Sequence, residues 1–462
     1  VRISVVGCGY LGAVHAAGMA SLGHDVTGVD VDPAKVALLA RGEAPFHEPG
    51  LPELLREQVD AGRLRFTTDP SEAADAEVHF IAVGTPQLPD ADAADLRFVD
   101  AAIEALARHI APGALVVGKS TVPVGTARRL LDRIRLAQPS ASLAWNPEFL
   151  REGHAVRDTL APDRVVYGVV AGERGERDAA ILDGLYAGVL AGGMPRMVMD
   201  LETSELVKAS ANAFLATKIS FINAMAEVCE ATGGDVTMLA DAIGFDARIG
   251  RRFLNSGLGF GGGCLPKDIR AFQARVEELG SGKSLRFLDE VDKINLRRRK
   301  RIARMTRELA GGTIAGRRVA VLGLAFKPDS DDVRDSPALG VASQLRAVGA
   351  TVRAYDPQAN ANARRLAPDL DYRGSVLDAV EGAEVVVVAT EWSEFRELDP
   401  ASPELLAAVA HARVVDARNC LDRDAWRAAG WAYRAPGRPA EPDAVATSTS
   451  AGALLPALAF AG

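Results

Sequence analysis

The stretch from Arg2 to Asp30 leaves little choice of architecture. Residues 2–6 (R-I-S-V-V) have the apolar, β-branched make-up of a buried strand, and Gly7-Cys8-Gly9-Tyr10-Leu11-Gly12 follows directly. An alanine-rich helical segment then runs to about Leu22, a second strand occupies 26–29, and Asp30 closes the series. Strand, glycine turn, helix, strand and acid within about 30 residues mark a βαβ unit that holds a dinucleotide. Gly7 permits the tight turn, Gly9 lets a pyrophosphate approach the backbone, and Gly12 lets the helix pack on the strand. The helix N-terminus offers unpaired N–H groups and its positive dipole end to the phosphates, and Tyr10 and Leu11 of the loop are counted with it. Asp30 is placed to accept hydrogen bonds from the adenine ribose. Its charge would repel the extra phosphate of NADP, so the cofactor expected is NAD, with Lys35 just beyond as a further contact.

The alternation continues through strands expected at 78–83 and 115–117, which implies a parallel sheet covered by helices on both faces. Near Asp200 it stops. From Glu202 to about Ala231 apolar residues recur at helical spacing without proline, and Gly233-Gly234 ends the run. A βα pattern resumes at Arg317 with strands expected at 318–322, 352–355, 385–389 and 413–415. The second block echoes the first: R-I-S-V-V-G against R-R-V-A-V-L-G, and A-D-A-E-V-H-F-I-A-V-G-T-P against E-G-A-E-V-V-V-V-A-T-E-W. The fold class expected is α/β, two Rossmann-like doubly wound parallel-sheet domains joined by a central helical domain with one long helix. The boundaries expected are 1–198, 199–300 and 301–435, with a disordered tail over 436–462, where proline, alanine, serine and glycine dominate.

Charge narrows the function. A formal net charge of −8 leaves no basic excess for phosphate backbones, so no nucleic-acid partner is expected. The run Arg297-Arg298-Arg299-Lys300-Arg301 is the local exception, and it reads as a solvated helix face. No apolar run approaches the roughly 20 residues of a membrane helix. The cysteines Cys8, Cys229, Cys264 and Cys420 lie far apart without metal spacing. With a strand starting almost at the first residue in place of a leader, they suggest reduced thiols, no metal and a cytoplasmic protein.

The most unusual stretch is Leu258–Asp268, five of whose residues are glycine or proline. Such a backbone takes tight or positive-φ conformations, and a thiol within it, Cys264, suits chemistry better than packing. A nearby cation and backbone N–H groups would lower its pKa and make it a nucleophile. Lys208 and Asn212 lie one turn apart on one face of the long helix. Lys208 suits an oxyanion, or a base if its pKa falls, and Asn212 is a fixed polar donor. Lys119–Pro123 and Asn146–Gly153 follow strands, at the sheet edge where α/β proteins bind ligands.

The segments GCGYLG, GKSTVPVGT, NPEFLREG, SELVKASANAFLATKISFINAMAEVCE, GFGGGCLPKD and VLGLAFKPDSDDVRDSPA, in this order, resemble the UDP-glucose/GDP-mannose dehydrogenase family from Arg2 to about Asp422. The resemblance implies two successive oxidations of a nucleotide sugar by NAD, with UDP-glucose as the substrate and GDP-mannose as the alternative. Cys264 would form a thiohemiacetal and then a thioester that water hydrolyses. It implies that Lys208 and Asn212 hold oxyanions, and that Asp268, Glu148 and Thr121 manage the lysine and the water. Phe149, Leu150, Glu152, Arg248, Phe260, Gly261, Lys327 and Arg418 would hold substrate; Thr85, Thr121, Glu152 and Arg334 would meet the cofactor. It also implies a homodimer through the long helix, with Arg248 reaching a neighbouring subunit. Gly263 stands where many relatives have serine.

Overall fold

The apolar runs become the strands of two sheets in the computed structural model, which describes residues 1–439. The first sheet holds β1 (Arg2–Val6), β2 (Asp25–Val29), β3 (Leu64–Thr67), β4 (Val78–Ile81), β5 (Leu115–Gly118), β6 (Ser142–Trp145), β7 (Val165–Gly168) and β8 (Arg196–Met199). The second holds β9 (Arg318–Leu322), β10 (Thr351–Tyr355), β11 (Asp371–Tyr372), β12 (Val385–Val388), β13 (Arg413–Asp416) and β14 (Ala432–Arg434). Their orders are β3-β2-β1-β4-β5-β6-β7-β8 and β11-β10-β9-β12-β13-β14. Numbered within each half, the first six strands of both sheets run 3-2-1-4-5-6, the doubly wound arrangement with its switch point beside the first strand. The echo in the sequence is thus an echo in topology. The sequence reading did not foresee β7 and β8, nor the antiparallel pairing of β6 with β7.

The middle strands read as unbroken apolar runs because both faces are covered; β12, Val385–Val388, is buried at every position. The strand-end acids have diverged. Asp30 accepts from Cys8 N at 2.7 Å, Asp32 N at 3.0 Å and the Lys35 ammonium at 2.9 Å. Its counterpart Asp356 accepts from Leu324 N at 2.7 Å, Ala325 N at 2.9 Å, Gln358 N at 2.9 Å, Ala359 N at 2.8 Å and Trp392 Nε1 at 3.1 Å.

Helix α1 (Tyr10–Ser21) packs against β1, and α2 (Leu201–Thr232) is the long helix expected between the sheets. The Asp200 side chain caps it by accepting from Thr203 N at 2.7 Å, and Gly233 at φ 77 turns the chain away. Its length, about 48 Å at 1.5 Å per residue, spans the molecule's middle. Helices α3 (Val236–Gly244), α4 (Leu265–Glu278) and α5 (Phe287–Leu309) surround it. Ala213 and Ala216 of α2 meet Phe260, Ile269 and Leu288 in one apolar cluster, and Ser220 Oγ donates to Val291 O at 2.7 Å.

The arginine run corrects the expectation of a solvated face. It lies on α5, where consecutive residues point around the helix and cannot share one side. Arg298 is fully buried, donates to Gly257 O at 3.0 Å and faces Glu227 at 3.4 Å. Arg299 pairs with Asp335 at 2.7 Å and Arg301 with Glu230 at 2.8 Å. The run therefore clips α2, the glycine-rich loop and the second sheet together. Residues 436–439, counted above with the tail, are also held. Gly437 N donates to Glu230 Oε1 at 2.9 Å, its carbonyl accepts from Val236 N at 2.8 Å, and Arg438 pairs with Asp235 at 3.5 Å. The rest of that expected tail lies outside the described residues. Among the described residues no helix is long and apolar enough to cross a membrane.

Gly12 is where helix and strand come closest, since a Cβ there would stand 1.8 Å from Gly7 O. Gly12→Ala is expected to destabilise the first transition in urea by about 1–3 kcal/mol, as overpacking does, and to weaken NAD binding. A variant with the wild-type midpoint would contradict this packing.

Candidate active site

The glycine turn fits a dinucleotide. Gly7 takes φ +90 while its N–H donates to Val29 O at 2.8 Å, a left-handed conformation suited to glycine. Around Gly9 no protein atom lies within 4 Å of the place a Cβ would take. Its bare backbone serves no protein packing, which is what close approach of a pyrophosphate requires. The N-terminus of α1 has no side-chain cap, so its first N–H groups remain available to an anion. With Asp30 at the neighbouring strand end, this is the donor and acceptor set NAD needs. Lys35 turns to neutralise Asp30 from the loop beyond. The Tyr10 hydroxyl donates to Glu48, whose carboxylate also accepts from Gly153 N at 2.6 Å and Ala155 N at 2.7 Å. Glu48 thereby ties the cofactor helix to the 146–153 loop.

The thiol's surroundings come from four directions. Helix α2 presents Lys208 and Asn212, both buried, one turn apart. Lys208 Nζ lies 2.9 Å from Glu148 Oε1, and the other Glu148 oxygen accepts from Leu150 N at 2.7 Å, which fixes the carboxylate at the turn after β6. Asn212 Nδ2 donates to Asp268 Oδ2 at 2.7 Å. Asp268 sits in the first turn of α4, and Cys264 is the N-cap of that helix. Lys267 Nζ reaches the other oxygen of Asp268 and lies 3.5 Å from Thr85 Oγ1, which donates to Thr121 O at 2.7 Å. The loops after β4, β5 and β6 and the two helices α2 and α4 thus meet through two polar chains at the carboxyl ends of the strands.

The charges decide what these groups can do. Burial works against the Lys208 ammonium, but Glu148, Cys264 and Asp268 outweigh it, and its pKa ends above the ordinary value. Lys208 is a standing cation, fitted to an oxyanion; the depressed pKa that a base requires is not found. The thiol also departs from expectation. A helix N-terminus favours thiolate, yet burial, then Asp268 and Glu148, push Cys264 up to about 12, with Lys208 opposing only in part. The thiol nevertheless remains open to solvent. Glu152 is pushed up to about 7 by burial and by Asp332, against Arg334 and Lys327, so it can hold or release a proton near neutral pH.

The remaining expected residues divide. Phe149 packs its ring 3.8 Å from the Arg164 guanidinium and 5.8 Å from Lys208 Nζ, beside the thiol's neighbours. Leu150 lies next to it, packed on the first core. Lys327, on the loop after β9, feels Glu152 and Cys264, and burial holds its pKa down. Arg334 pairs with Asp332 at 2.6 Å and Glu152 at 3.3 Å, and its guanidinium lies against Gly263, where a Cβ would meet it at 2.3 Å. Arg418 spends its donors on protein, reaching Phe326 O at 2.8 Å, Gly259 O at 3.2 Å and Ala389 O at 3.0 Å. It fastens the glycine-rich loop to the second sheet. The ring of Phe260 lies in the apolar cluster under α2, and Asn295 takes both its N–H at 2.7 Å and its carbonyl at 3.0 Å. It shapes the loop from below. Gly261 is needed there because a Cβ would stand 2.3 Å from Asp335 O. Arg248 stands apart, 89% exposed and paired with Asp246 at 2.6 Å. Its neighbour Ile249 O accepts from Lys218, ten residues or about 15 Å further along α2 than Lys208. Glu48, Lys267 and Asp332 escape the sequence reading because each is a single charge in a loop or helix start, with no spacing to mark it. Among the described residues no cluster of His, Cys, Asp or Glu is arranged to hold a metal.

Comparison with known proteins gives one consistent picture. Three profiles of the UDP-glucose/GDP-mannose dehydrogenase family match in order: its NAD binding domain over 1–189, its central domain over 202–297 and its UDP binding domain over 320–423. A UDP-glucose 6-dehydrogenase from Rhizobium meliloti is 40% identical over 95% of this chain and 100% of its own length. One from Pseudomonas aeruginosa is 42% identical over 95% and 98%. The structure of a UDP-glucose dehydrogenase from Pyrobaculum islandicum, 40% identical, superposes with a TM-score of 0.85 over 95% of this chain and 98% of that one.

A thiol whose pKa lies near 12 is almost wholly protonated at neutral pH and gains thiolate only as pH rises. In the cofactor-free protein, alkylation of Cys264 by iodoacetamide, followed by peptide mass spectrometry, is expected to keep rising up to about pH 10. At pH 8 it should run at least about tenfold slower than free cysteine. A plateau below pH 9 would show that the carboxylates do not govern the thiol.

Proposed function

This chain belongs to the UDP-glucose/GDP-mannose dehydrogenase family, and on that premise we propose that it oxidises the C6 alcohol of UDP-glucose to the carboxylate of UDP-glucuronate. The observation that carries the reading is the buried Lys208–Glu148 pair beside the Asn212–Asp268 bond, set around the N-cap thiol Cys264. NAD, when bound, supplies the hydride acceptor for both oxidations.

The chain's own residues do the rest. Lys208 and Asn212 donate to oxygen at C6 as it gains negative charge, first as the alcohol loses its proton and again when sulfur adds to the aldehyde. Cys264 Sγ forms the C–S bond and gives up its proton, and the resulting thiohemiacetal retains the C–H that a second oxidation needs. Water then attacks the thioester; its oxygen bonds carbon, the C–S bond breaks, and the sulfur regains a proton. Glu148, Asp268 and Glu152, with Thr121 nearby, are the groups placed to receive the protons released. The thiol's high resting pKa suits this order, because a protonated sulfur is spared oxidation until an aldehyde is present. Phe149, Leu150 and Lys327 hold the sugar and nucleotide; Arg334 turns from Glu152 to the cofactor. UDP-glucose is preferred to GDP-mannose because the relatives at 40–42% identity over most of both chains are named for it.

The subunits are proposed to pair. Phe214, Phe221 and Val228 stand seven residues apart on α2 and are 66%, 49% and 51% exposed, an apolar stripe with a coiled-coil repeat. Phe245, at the end of α3 and three residues before Arg248, is 89% exposed as well. Pairing along this stripe covers the apolar side chains and carries Arg248 to the neighbour's site. The four unpaired thiols fit a reducing compartment, and the cytoplasm is the one proposed.

Incubation with NAD and each nucleotide sugar is expected to yield two NADH per UDP-glucose consumed; one NADH, or none with any sugar, would overturn the reading. Cys264→Ser is expected to lower uronate formation by at least about a thousandfold while leaving NAD binding intact. Uronate made at the wild-type rate by that variant would exclude the thioester. Phe221→Glu is expected to convert a dimer to a monomer in light scattering, and an unchanged mass would remove the stripe as the interface.

A further inference from the structure

Lys119, the residue after β5, is a buried lysine that the proposed chemistry leaves unused; it is 7% exposed. Its Nζ donates to Asn146 Oδ1 at 2.9 Å and lies 3.4 Å from the Tyr186 hydroxyl, which donates to the same Asn146 oxygen at 2.7 Å. Asn146 Nδ2 completes the clamp by donating to Val166 O at 2.9 Å. The rings of Phe80 and Tyr186 flank the ammonium at 5.9 and 6.0 Å. Among the described residues no carboxylate comes within ion-pair distance of it. A buried cation without a direct anion is unfavourable, and an apolar side chain of similar volume would serve packing as well or better. Stability therefore does not explain a lysine here.

Its neighbours do. Asn146 lies two residues before Glu148, so whatever holds Asn146 sets the turn that presents Glu148 to Lys208. The carboxylate whose charge acts on Lys119 is that of Glu148. The two side chains line one cavity of about 60 Å³, together with the titratable or charged His15, Asp158, Asp163, Arg164 and Tyr186, which is room for a few waters. We propose that Lys119 is a positioning residue for Glu148: it holds the Asn146–Glu148 turn through the Asn146 amide and supplies a second positive charge across the cavity. Glu148 is then kept aimed at Lys208, where it can receive a proton. The inference rests on the proposed reaction, because there Glu148 takes a proton.

The groups facing Lys119 differ in what pH does to them. His15 on α1 is kept neutral by burial and then by Lys119 itself, and burial keeps Tyr186 a phenol. Burial, opposed by Glu148, brings Lys119 down to about 8. Its positive charge is therefore present below that pH and lost above it, so the catalytic rate should fall as pH rises through about 8.

The test compares kcat and KM for UDP-glucose across pH 6.5–9.5 in wild type, Lys119→Met, Lys119→Arg and Tyr186→Phe. Lys119→Met should lower kcat by about ten- to a hundredfold with KM within about threefold, and should lose the alkaline fall. Lys119→Arg should recover most of the rate and push the fall beyond the range, because guanidinium does not titrate there. Tyr186→Phe, which leaves the lysine in place, should cost less than about fivefold. A folded Lys119→Met with wild-type kcat and pH profile overturns the proposal; if that variant does not fold, a Lys119→Arg whose alkaline fall is unmoved does so. Hydrogen exchange over residues 146–150, faster in Lys119→Met than in wild type, reads the positioning without turnover, and unchanged exchange in that variant counts against it. Wild-type production of two NADH per UDP-glucose is the separate control: its absence refutes the reaction, not the clamp.

Discussion

The buried pair between Lys208 and Glu148 is the contact on which the site depends. It joins a helix of the middle of the chain to a turn at the rim of the first sheet, 2.9 Å apart and almost without solvent. Either group alone would be a stranded charge, and removing one partner of such a pair destabilises far more than the pair itself contributes. The pair therefore acts as a register mark. It admits one placement of α2 against the 146–153 loop, and Asn212, a turn further on, then meets Asp268 on α4. Arg298 and Arg299 repeat the device on the other side, fixing the glycine-rich loop and the second sheet to the same helices.

Electrostatics inside this frame differ from what residue types alone imply. A cysteine beside a lysine at a helix N-terminus reads as a thiolate, and a lysine among apolar neighbours reads as a base. Both readings treat neighbours singly. In the structure burial and then Asp268 and Glu148 outweigh Lys208 at the sulfur, and Glu148 and Asp268 with Cys264 offset burial at the lysine, so the thiol keeps its proton and the ammonium keeps its charge. Glu152, beside them, is poised near neutrality. That distribution suits a sequence in which negative charge appears on substrate oxygen and must find a standing cation.

Much of the fold was legible because it depends on short-range periodicity. The duplicated strand pattern gave both sheets, and Gly233 with the unbroken apolar spacing before it gave α2 to within a residue at each end. The candidate site came to notice by a different route, since the motifs around Cys264, Lys208 and Glu148 carry a family resemblance that spacing could not supply. The failures share a cause. The arginine run looks solvated until α2 and Asp335 are brought against it. Lys119 and Glu48 act through partners far away in the chain. Contacts of that kind have no periodic trace, and only the tertiary arrangement reveals them.

The two strand-end aspartates carry a wider consequence. Asp356 takes five protein donors, one more than a carboxylate's roughly four lone-pair positions, while Asp30 takes three, one of them from the Lys35 side chain. One scaffold used twice is thus receptive in one copy and saturated in the other. The six-strand order the two copies share is kept, and they differ in whether one carboxylate keeps a free lone pair. The second copy, relieved of recognising a ribose at that edge, is free to present its remaining loops to a different ligand. The chain can in this way hold two nucleotide-sized molecules without either competing for the other's place.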